Sequence, residues 1–380
     1  MIFLDYNSTT PVDQRVLEAM LPYFNEKFGN AASKTHAYGW IADEAIKQAR
    51  EQVALLINTE PSEIVFTSGA TESINLALKG VFENYKSKGN HIVTIATEHK
   101  AILDSCIHLE KAGAEVTVLP VLRDGSIDLD LLSKSIRQDT ILVAVMYGNN
   151  ETGFIHPVAE IAKIIHQKGS IFFCDATQAC GKINVDVQAD GIDLMSFSAH
   201  KIYGPKGTGA LYVRRKNPRV KPAPLLDGGG HENGLRSGTL NVPGIVGFGK
   251  ACELAKMEMW DDAQRISTLR SLLEQGILEL GNVFVNGSIR NRLPNVSNLS
   301  FQGIHSNDLI RELDGIAVST GSACSSALQE PSHVLKAMGV KEADAYSSIR
   351  FSLGKYTTLP EVETVIRRVR EIVFKIRSSY

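Results

Sequence analysis

The sequence predicts an α/β protein in which a large, mostly parallel sheet is joined to a smaller α/β domain. Short apolar runs alternate with helical stretches, which is the pattern of strands connected by helices. These runs are rich in Val, Ile and Phe and apolar nearly throughout, as in strands buried on both faces. The length of 380 residues exceeds the usual size of one domain and favours two.

The elements of the large sheet are expected in the first 213 residues, where seven candidate strands alternate with helical patterns. One of these helices follows Pro157, which suits a first turn because an N–H there would lack a helical partner. The predicted strands are residues 64–66, 91–95, 115–119, 141–145, 171–174, 194–197 and 210–213, and the predicted helices are residues 73–85, 101–111, 129–136 and 158–166.

The texture of the chain changes near Lys256. A loop-like stretch at residues 228–238 is followed by a long helical stretch at residues 244–280, and shorter elements follow. A smaller α/β unit is therefore predicted, with strands near residues 298–301, 317–319 and 347–352 and a closing helix at residues 360–377.

Charge and hydropathy argue against several classes of partner. Lys and Arg number 40 and Asp and Glu 42, so a formal charge of −2 provides no global field for nucleic acid or membranes. No run approaches the roughly 20 apolar residues of a membrane span. The N-terminus MIFLDYNSTTP also lacks the basic and apolar regions of a signal peptide. We therefore expect a cytoplasmic protein with no membrane or direct nucleic-acid binding.

The five cysteines predict one accessible thiol and no metal site. Their odd number and the lack of CxxC spacing argue against a disulfide framework or structural zinc. Cys324 lies among small, polar and turn-forming residues in STGSACSSALQEPSH. The other four lie in apolar or helical stretches, as small buried hydrophobes do: Cys106, Cys174, Cys180 and Cys252.

Residues 68–71 follow a predicted strand and open a predicted helix. The N–H groups of Gly69 and Ala70, the hydroxyl of Thr71 and the positive helix end would converge there on an anion such as a phosphate. The alternative is an ordinary helix cap, since Thr71 is a good helix starter and Glu72 suits a first turn. The segment is neither GxGxxG nor a Walker sequence.

Three further polar residues follow predicted strands, where α/β folds bind ligands. His99 follows the second strand, Asp175 ends an apolar strand, and Lys201 follows another in SFSAHKIYGPKG. Each has an ordinary structural explanation when taken alone. Together with the phosphate cup they match the needs of pyridoxal phosphate, which requires an amine for its Schiff base and a carboxylate beside its ring nitrogen.

The resemblance to a known family rests on motifs that occur in a fixed order: TSGATES, TEHKA, NNETG, DATQ, SFSAHKIYGPKG, GGGHENGLRSGT, GSACSS and SSIRFSLG. In this order they resemble the cysteine desulfurases, over essentially the whole chain. The sequence is similar to the NifS/IscS-like group I, in the class V aminotransferase superfamily. That resemblance implies the type I fold of pyridoxal phosphate enzymes, as in aspartate aminotransferase, and a homodimer that converts L-cysteine to L-alanine and captures sulfur as a cysteine persulfide.

The resemblance also implies a division of the chain. A large cofactor-binding domain would comprise residues 15–255, and a small domain would combine residues 1–14 with residues 256–380. A loop at about residues 320–332 would carry Cys324 between the cofactor and a sulfur acceptor.

Carried over by motif, the resemblance assigns cofactor roles to individual residues. Lys201 would form the Schiff base and Asp175 would pair with the pyridinium nitrogen. Gln178 would donate to the phenolic oxygen of the ring, and His99 would stack on the ring and move protons. The residues implied around the phosphate are Gly69, Ala70, Thr71, Ser198 and His200, with Thr239 reaching the phosphate of the other subunit.

The resemblance also implies how the substrate is held. Arg350 would grip the carboxylate of L-cysteine as a bidentate fork, with help from Asn150 and Asn30. Cys324 would attack the substrate sulfur as a thiolate. Because an ordinary thiol has a pKa of about 8.5, His99 would serve as its local base.

The sulfur acceptor stays open between a scaffold protein of iron–sulfur cluster assembly, a tRNA-thiolation protein and a DNA-phosphorothioation protein. In housekeeping desulfurases the family pattern continues past the last helix into a tail that docks the scaffold, whereas this sequence stops at Tyr380. We therefore do not expect docking by the usual tail.

Two alternatives keep part of this interpretation. One is a selenocysteine lyase or another class V pyridoxal phosphate enzyme, although Cys324 argues against plain transamination because that reaction needs no thiol. The other is a sulfur-relay partner subunit that is active only in a complex. A nicotinamide enzyme and a metal hydrolase are disfavoured because GGGHENG is not GxGxxG and no HExxH spacing occurs.

Overall fold

A computed structural model describes residues 1–320 and 331–378, so Cys324 and most of the predicted loop lie outside the described residues. The strands are β1 (Ile2–Phe3), β2 (Ile64–Thr67), β3 (His91–Ile95), β4 (Glu115–Leu119), β5 (Thr140–Ala144), β6 (Ile171–Asp175), β7 (Leu194–Ser198), β8 (Gly209–Val213), β9 (Val283–Val285), β10 (Val296–Phe301), β11 (Ile316–Ala317) and β12 (Ser348–Ser352). The α-helices are α1 (Gln14–Met20), α2 (Pro22–Asn25), α3 (Ala37–Leu56), α4 (Ala70–Tyr85), α5 (Lys100–Lys111), α6 (Leu129–Ser135), α7 (Val158–Gln167), α8 (Val242–Leu278), α9 (Ser306–Glu312), α10 (His333–Ala337), α11 (Glu342–Tyr346) and α12 (Leu359–Arg377).

The largest sheet contains seven strands in the order β2-β8-β7-β6-β5-β3-β4. The five strands from β7 to β4 pair in parallel, whereas β8 is antiparallel to both of its neighbours. The predicted strands of this sheet agree with the observed ones to within one residue at each end. The fold class predicted from the sequence is confirmed.

Alternate residues of the central strands pack on opposite faces of this sheet. In β5, Val143 belongs to a core that includes residues of α3, α7 and α8. Its neighbours Leu142 and Ala144 belong to a core that includes residues of α4 and α5. Helices therefore cover both faces, which explains why the central strands are apolar at nearly every position.

Strand β4 departs from this pattern. It lies at the edge of the sheet, and Glu115 and Val118 are exposed. The expectation that every strand is buried on both faces is wrong here, because an edge strand has one neighbour and less cover. Glu115 forms a 2.7 Å ion pair with Arg137, and charge of this kind protects a sheet edge against pairing with other chains.

A second apolar core surrounds the antiparallel sheet β12-β10-β9. It includes residues of α9, α12 and the C-terminal half of α8. Strand β1 pairs in parallel with β11, so the N-terminus belongs to this part of the molecule. Helix α8 joins the two cores, since Phe248 lies in the first and Leu273 in the second.

Several helices and strands were not predicted from the sequence. Helix α3 spans 20 residues, but its buried face is formed largely by small residues such as Ala42, Ala45 and Ala49, so its apolar periodicity is weak. The strand expected at residues 317–319 ends at Ala317, and Ser319 forms a separate bridge with Arg350.

Two composition-based expectations concern burial. Cys106, Cys174, Cys180 and Cys252 are buried free thiols, as expected. Within the described ranges, no helix combines the length and the apolar character needed to cross a membrane.

Candidate active site

The structure brings several predicted site residues together at the carboxyl ends of the parallel strands. His99 caps α5 after β3, Asp175 is the last residue of β6, and Ser198 is the last residue of β7. Lys201 ends a single 3₁₀ turn directly after β7. His99 lies close enough to Asp175 and Lys201 for both charges to shift its pKa. Ligands of α/β proteins bind at this end of the sheet.

Lys201 reaches from this turn to the N-terminal segment. Its Nζ donates to the carbonyl oxygens of Asn7 at 2.6 Å and Ser8 at 2.7 Å. Burial, with the positive charge of Arg350, lowers the pKa of Lys201 to about 8, although Asp175 opposes the shift. At pH 7 about a tenth of such an amine is unprotonated, against well under a thousandth of an ordinary lysine. The structure thus provides an amine able to act as a nucleophile.

Asp175 presents a buried carboxylate. Its Oδ1 accepts hydrogen bonds from the N–H of Thr177 at 3.0 Å and from the hydroxyl of Ser196 at 3.1 Å. These donors orient the group at the end of β6. A buried carboxylate needs a charged or hydrogen-bonding partner, and a protonated ring nitrogen would satisfy that need.

His99 is exposed on one side, but enough protein surrounds its imidazole for burial to affect its pKa. Its Nδ1 accepts from the N–H of Ala101 at 3.1 Å, which assigns the proton of the neutral ring to Nε2. Burial lowers its pKa; Asp175 opposes this shift and Lys201 adds to it. The ring is therefore neutral at pH 7 and free to stack or to carry a proton.

The start of α4 has features of both a phosphate-binding site and an ordinary helix cap. Gly69 is the residue before the helix, and a side chain on Gly209 would come within 2.6 Å of its Cα, so β8 approaches here very closely. The N–H of Ser68 donates to Glu72 Oε2 at 2.8 Å, and Glu72 pairs with Arg236 at 2.8 Å. The N–H of Ser68 is thus paired with Glu72, as in an ordinary helix cap.

The first-turn N–H groups that follow it belong to Ala70 and Thr71, and they precede the first hydrogen bond within the helix. Ser198 is buried, and its hydroxyl donates to the carbonyl oxygen of Thr208 at 3.3 Å. Burial and the charge of Lys201 lower the pKa of His200 to about 4, so this ring is neutral.

Arg350 lies buried on β12, where its guanidinium joins three segments of the chain. Nη2 donates to Asp5 Oδ1 at 2.7 Å and Nη1 donates to the carbonyl oxygen of Asn150 at 3.0 Å. Its Nε and the Oδ1 of Asn150 are buried without a hydrogen-bond partner among the described residues. Buried polar groups are normally paired, so both are available to a bound polar molecule.

In the part of the chain that the structure describes, no hydrogen bond or ion pair links two of the predicted residues to this cluster. Asn30 is exposed, and its side chain accepts from the N–H of Ala32 at 2.9 Å. Thr239 is also exposed. Cys324 lies outside the described residues, so its position relative to Lys201 is not part of this geometry.

Sequence reasoning missed Asn7 and Lys182, which connect the site. The carbonyl oxygen of Asn7 accepts from Lys201 and, at 2.9 Å, from Gln178 Nε2. Lys182 Nζ donates to Gln178 Oε1 at 2.6 Å and to Asn7 Oδ1 at 3.2 Å. The available signal was a lysine placed four residues after Gln178 in QACGK. No motif pointed to Asn7.

Two buried acids beside the site hold the segment that follows residue 330. Glu151 Oε2 lies 2.5 Å from the hydroxyl of Ser332, and His333 Nε2 lies 3.0 Å from the carbonyl oxygen of Glu98. Burial raises the pKa of both Glu98 and Glu151. The neutral forms of both acids are therefore favoured more than in an exposed glutamate.

The residues present fit pyridoxal phosphate. Lys201 supplies an amine of lowered pKa, Asp175 a buried anion and His99 a neutral ring. The first turn of α4 adds backbone donors for a phosphate. Arg350 Nε and Asn150 Oδ1 add a buried donor and a buried acceptor that have no hydrogen-bond partner in the described structure.

Comparison with known proteins identifies the family of the chain. The model of the class V aminotransferase family matches residues 2–365. A cysteine desulfurase IscS from Anaeromyxobacter sp. is 56% identical over 377 residues, which cover 99% of this chain and 93% of the relative.

Solved structures of similar proteins indicate the same family. A NifS-like protein superposes with a TM-score of 0.92 at 41% identity and covers 98% of this chain and 99% of its own. SspA, solved in complex with cysteine, superposes with a TM-score of 0.83 at 36% identity and covers 94% and 100% of the two chains. The chain therefore belongs to the class V aminotransferase family and, within it, to the pyridoxal-phosphate-dependent cysteine desulfurases.

Proposed function

We propose that the residues assigned above carry out the conversion of L-cysteine to L-alanine and place the sulfur on Cys324. The observation that carries this proposal is the lowered pKa of the Lys201 amine. This amine lies at the carboxyl ends of the strands, close to Asp175 and His99. Pyridoxal phosphate supplies an electron-accepting ring once its aldehyde is linked to an amine.

The protein holds this cofactor with a distinct group for each part of it. Lys201 binds the aldehyde carbon, Asp175 keeps the ring nitrogen protonated and Gln178 donates to the phenolic oxygen. His99 covers one face of the ring. The phosphate is held by Gly69, Ala70, Thr71, Ser198 and His200.

The substrate carboxylate binds Arg350 with Asn150, and Asn30 closes on it from the exposed loop. Support comes from the unpartnered Nε of Arg350, which can donate to a carboxylate oxygen. Asn150 would contribute the N–H groups of its side-chain amide, because its Oδ1 only accepts. Asp5 already occupies Nη2 of Arg350, so the substrate competes with Asp5 for the guanidinium.

Sulfur transfer is a balanced exchange between two thiols. A bond forms between the sulfur of Cys324 and the sulfur of L-cysteine, and the carbon–sulfur bond of the substrate breaks. The carbon keeps the electron pair of the broken bond and gains a proton, so the products are alanine and a Cys324 persulfide. Lys201 and His99 are the groups near the reacting carbon that hold or move a proton.

We also propose a homodimer in the cytoplasm, in which the exposed Thr239 reaches the phosphate bound by the partner copy. Residues 15–255 would form the cofactor-binding domain, with residues 1–14 and 256–380 as the small domain. Support for this division comes from the two apolar cores that α8 joins.

A cysteine desulfurase passes its sulfur to acceptor proteins. We propose a scaffold protein of iron–sulfur cluster assembly as this acceptor, since the relatives at 50–56% identity are named IscS. A tRNA-thiolation or DNA-phosphorothioation protein is the alternative. A pull-down that preserves persulfides, with Cys324→Ala as control, identifies the acceptor.

The decisive test of the activity uses Cys324→Ser. This variant is expected to bind pyridoxal phosphate with the visible absorbance of the wild type and to release no sulfide or persulfide from L-cysteine. Cys106→Ser, which alters a buried thiol, serves as the matched control and retains turnover. Wild-type turnover by Cys324→Ser would overturn the assignment. Relative rates with cysteine and selenocysteine separate a desulfurase from a selenocysteine lyase.

A further inference from the structure

Lys182 is a lysine whose amine ends inside the protein. The residue keeps some solvent exposure, but the amine itself is enclosed, and this burial lowers its pKa well below the ordinary value. The charges of Lys201 and Arg350 lower it further. The partners of this amine in the described structure are two amide oxygens, so no carboxylate compensates a positive charge there. Burying a positive charge without a carboxylate partner is costly, so the hydrogen bonds that Lys182 donates to the two amide oxygens are its compensation.

The amine of Lys182 helps to fix the orientation of the side-chain amide of Gln178. An amide side chain can be rotated by 180° with little change of shape, so its hydrogen-bond partners decide the orientation. Lys182 Nζ donates to Oε1 at 2.6 Å, and the carbonyl oxygen of Asn7 accepts from Nε2 at 2.9 Å. In the rotated amide, Nε2 would face the donor Lys182 and Oε1 would face the acceptor Asn7. The contact between Oε1 and the Asn7 carbonyl oxygen would be repulsive, and the contact between Nε2 and Lys182 would be repulsive whenever the amine is protonated.

This orientation is connected to the reactive amine. The carbonyl oxygen of Asn7 that receives Gln178 Nε2 also receives Lys201 Nζ at 2.6 Å. Asn295 Nδ2 donates to Asn7 Oδ1 at 2.8 Å and holds Asn7 in place. A continuous chain of hydrogen bonds therefore runs from Lys182 to Lys201 through Gln178 and Asn7.

We propose that Lys182 is a positioning residue that locks the Gln178 amide with its N–H end toward the phenolic oxygen of pyridoxal phosphate. One N–H of Gln178 is used by Asn7, and the second is left for the ring. This inference rests on the proposed role of Gln178. Without Lys182 the Asn7 carbonyl oxygen is the one described contact that still favours this orientation. The rotated amide, whose carbonyl oxygen would face the ring oxygen as acceptor against acceptor, becomes more populated.

The test is a double-mutant cycle with Lys182→Met, Gln178→Ala and the double variant. Two measurements are made on each protein: the dissociation constant of the apoprotein for pyridoxal phosphate, and the pH titration of the visible absorbance of the loaded protein. Lys182→Met is expected to weaken cofactor binding 5- to 10-fold and to shift the absorbance titration in the direction seen with Gln178→Ala. The double variant should match Gln178→Ala within twofold, because Lys182 acts through Gln178.

Controls separate positioning from a loss of folding. Lys168→Met changes an exposed lysine and is expected to leave both measurements unchanged. Lys182→Gln keeps an N–H donor and should recover part of the affinity, with melting temperatures of the apoproteins as the check on folding. If Lys182→Met does not fold, Lys182→Ala, which also removes the donor, takes its place in the cycle.

Two results would overturn the inference. In one, the effects of Lys182→Met and Gln178→Ala multiply in the double variant. In the other, Lys182→Met equals the wild type. Failure of the proposed role of Gln178 would look different, because Gln178→Ala itself would then leave both measurements unchanged.

Discussion

The amine nitrogen of Lys201 lies 2.6 Å from the carbonyl oxygen of Asn7, across 194 positions of the chain. This contact ties the turn after β7 to the N-terminal segment, whose strand β1 belongs to the smaller core. The reactive amine therefore sits between the two cores, in surroundings that both of them build. Its low pKa follows from that enclosure and from Arg350, which the smaller sheet contributes.

The rate of loading of the apoprotein with pyridoxal phosphate should follow the free amine of Lys201. We expect the rate to rise with pH around a midpoint of about pH 8, as measured by stopped-flow absorbance. Arg350→Gln removes a positive charge that disfavours the protonated amine, so the midpoint should move upward. Arg311→Gln, at an exposed position, is the control. A wild-type midpoint near that of ordinary lysine, about 10.4, would contradict this account.

The carboxylate of Asp175 should be needed as an anion. Asp175→Asn keeps the shape of the side chain but cannot keep a ring nitrogen protonated, so we expect kcat for alanine formation to fall by about 10²-fold or more. Thr177→Val removes a hydroxyl that donates to Asp175 Oδ1 and should cost far less. Equal losses in the two variants would show that orientation, not charge, is what Asp175 supplies.

Asp5 and Arg350 should affect substrate binding in opposite directions. Arg350→Ala removes the bidentate donor and is expected to raise KM for L-cysteine by about 10- to 100-fold. Asp5→Asn weakens the 2.7 Å ion pair that competes with the substrate, so KM should fall. Steady-state kinetics of alanine formation measure both effects. A rise of KM in Asp5→Asn would mean that the ion pair orients Arg350 for the substrate.

Glu98 should make stability depend on pH. Because burial raises its folded pKa above the unfolded value, its contribution is complete below the unfolded pKa and is lost as the pH rises through the folded pKa. Glu98→Gln removes this titration and should flatten the dependence, so that the variant gains stability over the wild type as the pH rises. Denaturant unfolding at pH 5 and pH 8 measures it. Parallel pH profiles of variant and wild type would exclude this role.

Glu98→Ala is the informative companion. Glu98 Oε1 accepts the N–H of Met146 at 2.5 Å, and truncation leaves this buried N–H without a partner. We expect Glu98→Ala to be about 1–3 kcal/mol less stable than Glu98→Gln at every pH, because the amide oxygen of glutamine still accepts the Met146 N–H and alanine offers no acceptor.

Ser332 should anchor the chain that follows the Cys324 segment. Its hydroxyl accepts from the N–H of Leu335 at 3.1 Å, which caps α10, and contacts Glu151. Ser332→Ala should cost about 1–3 kcal/mol of stability and lower kcat, with the visible absorbance of the bound cofactor unchanged. Ser332→Thr should restore both. Asp128→Ala, which removes the exposed cap of α6, should lower stability without changing kcat.

Much of the fold could be predicted because its signals are local. Strand β6 is apolar at nearly every position and ends in Asp175, so the sequence indicates both a buried strand and a polar residue at its end. The parallel pairing then follows from the helices that alternate with the strands. Helix α3 was missed because alanines face its core and give a weak periodic signal.

The sequence by itself determined the fold class, the family and the residue types of the site, because strand burial and motif order are properties of short segments. Only the tertiary structure decided that Asp5 pairs with Arg350 and that Asn7 and Lys182 hold Gln178 beside Lys201. Such contacts join residues far apart in the chain. Their hydrogen bonds and the pKa of Lys201 depend on how two cores enclose one amine, and no local pattern of residues encodes that enclosure.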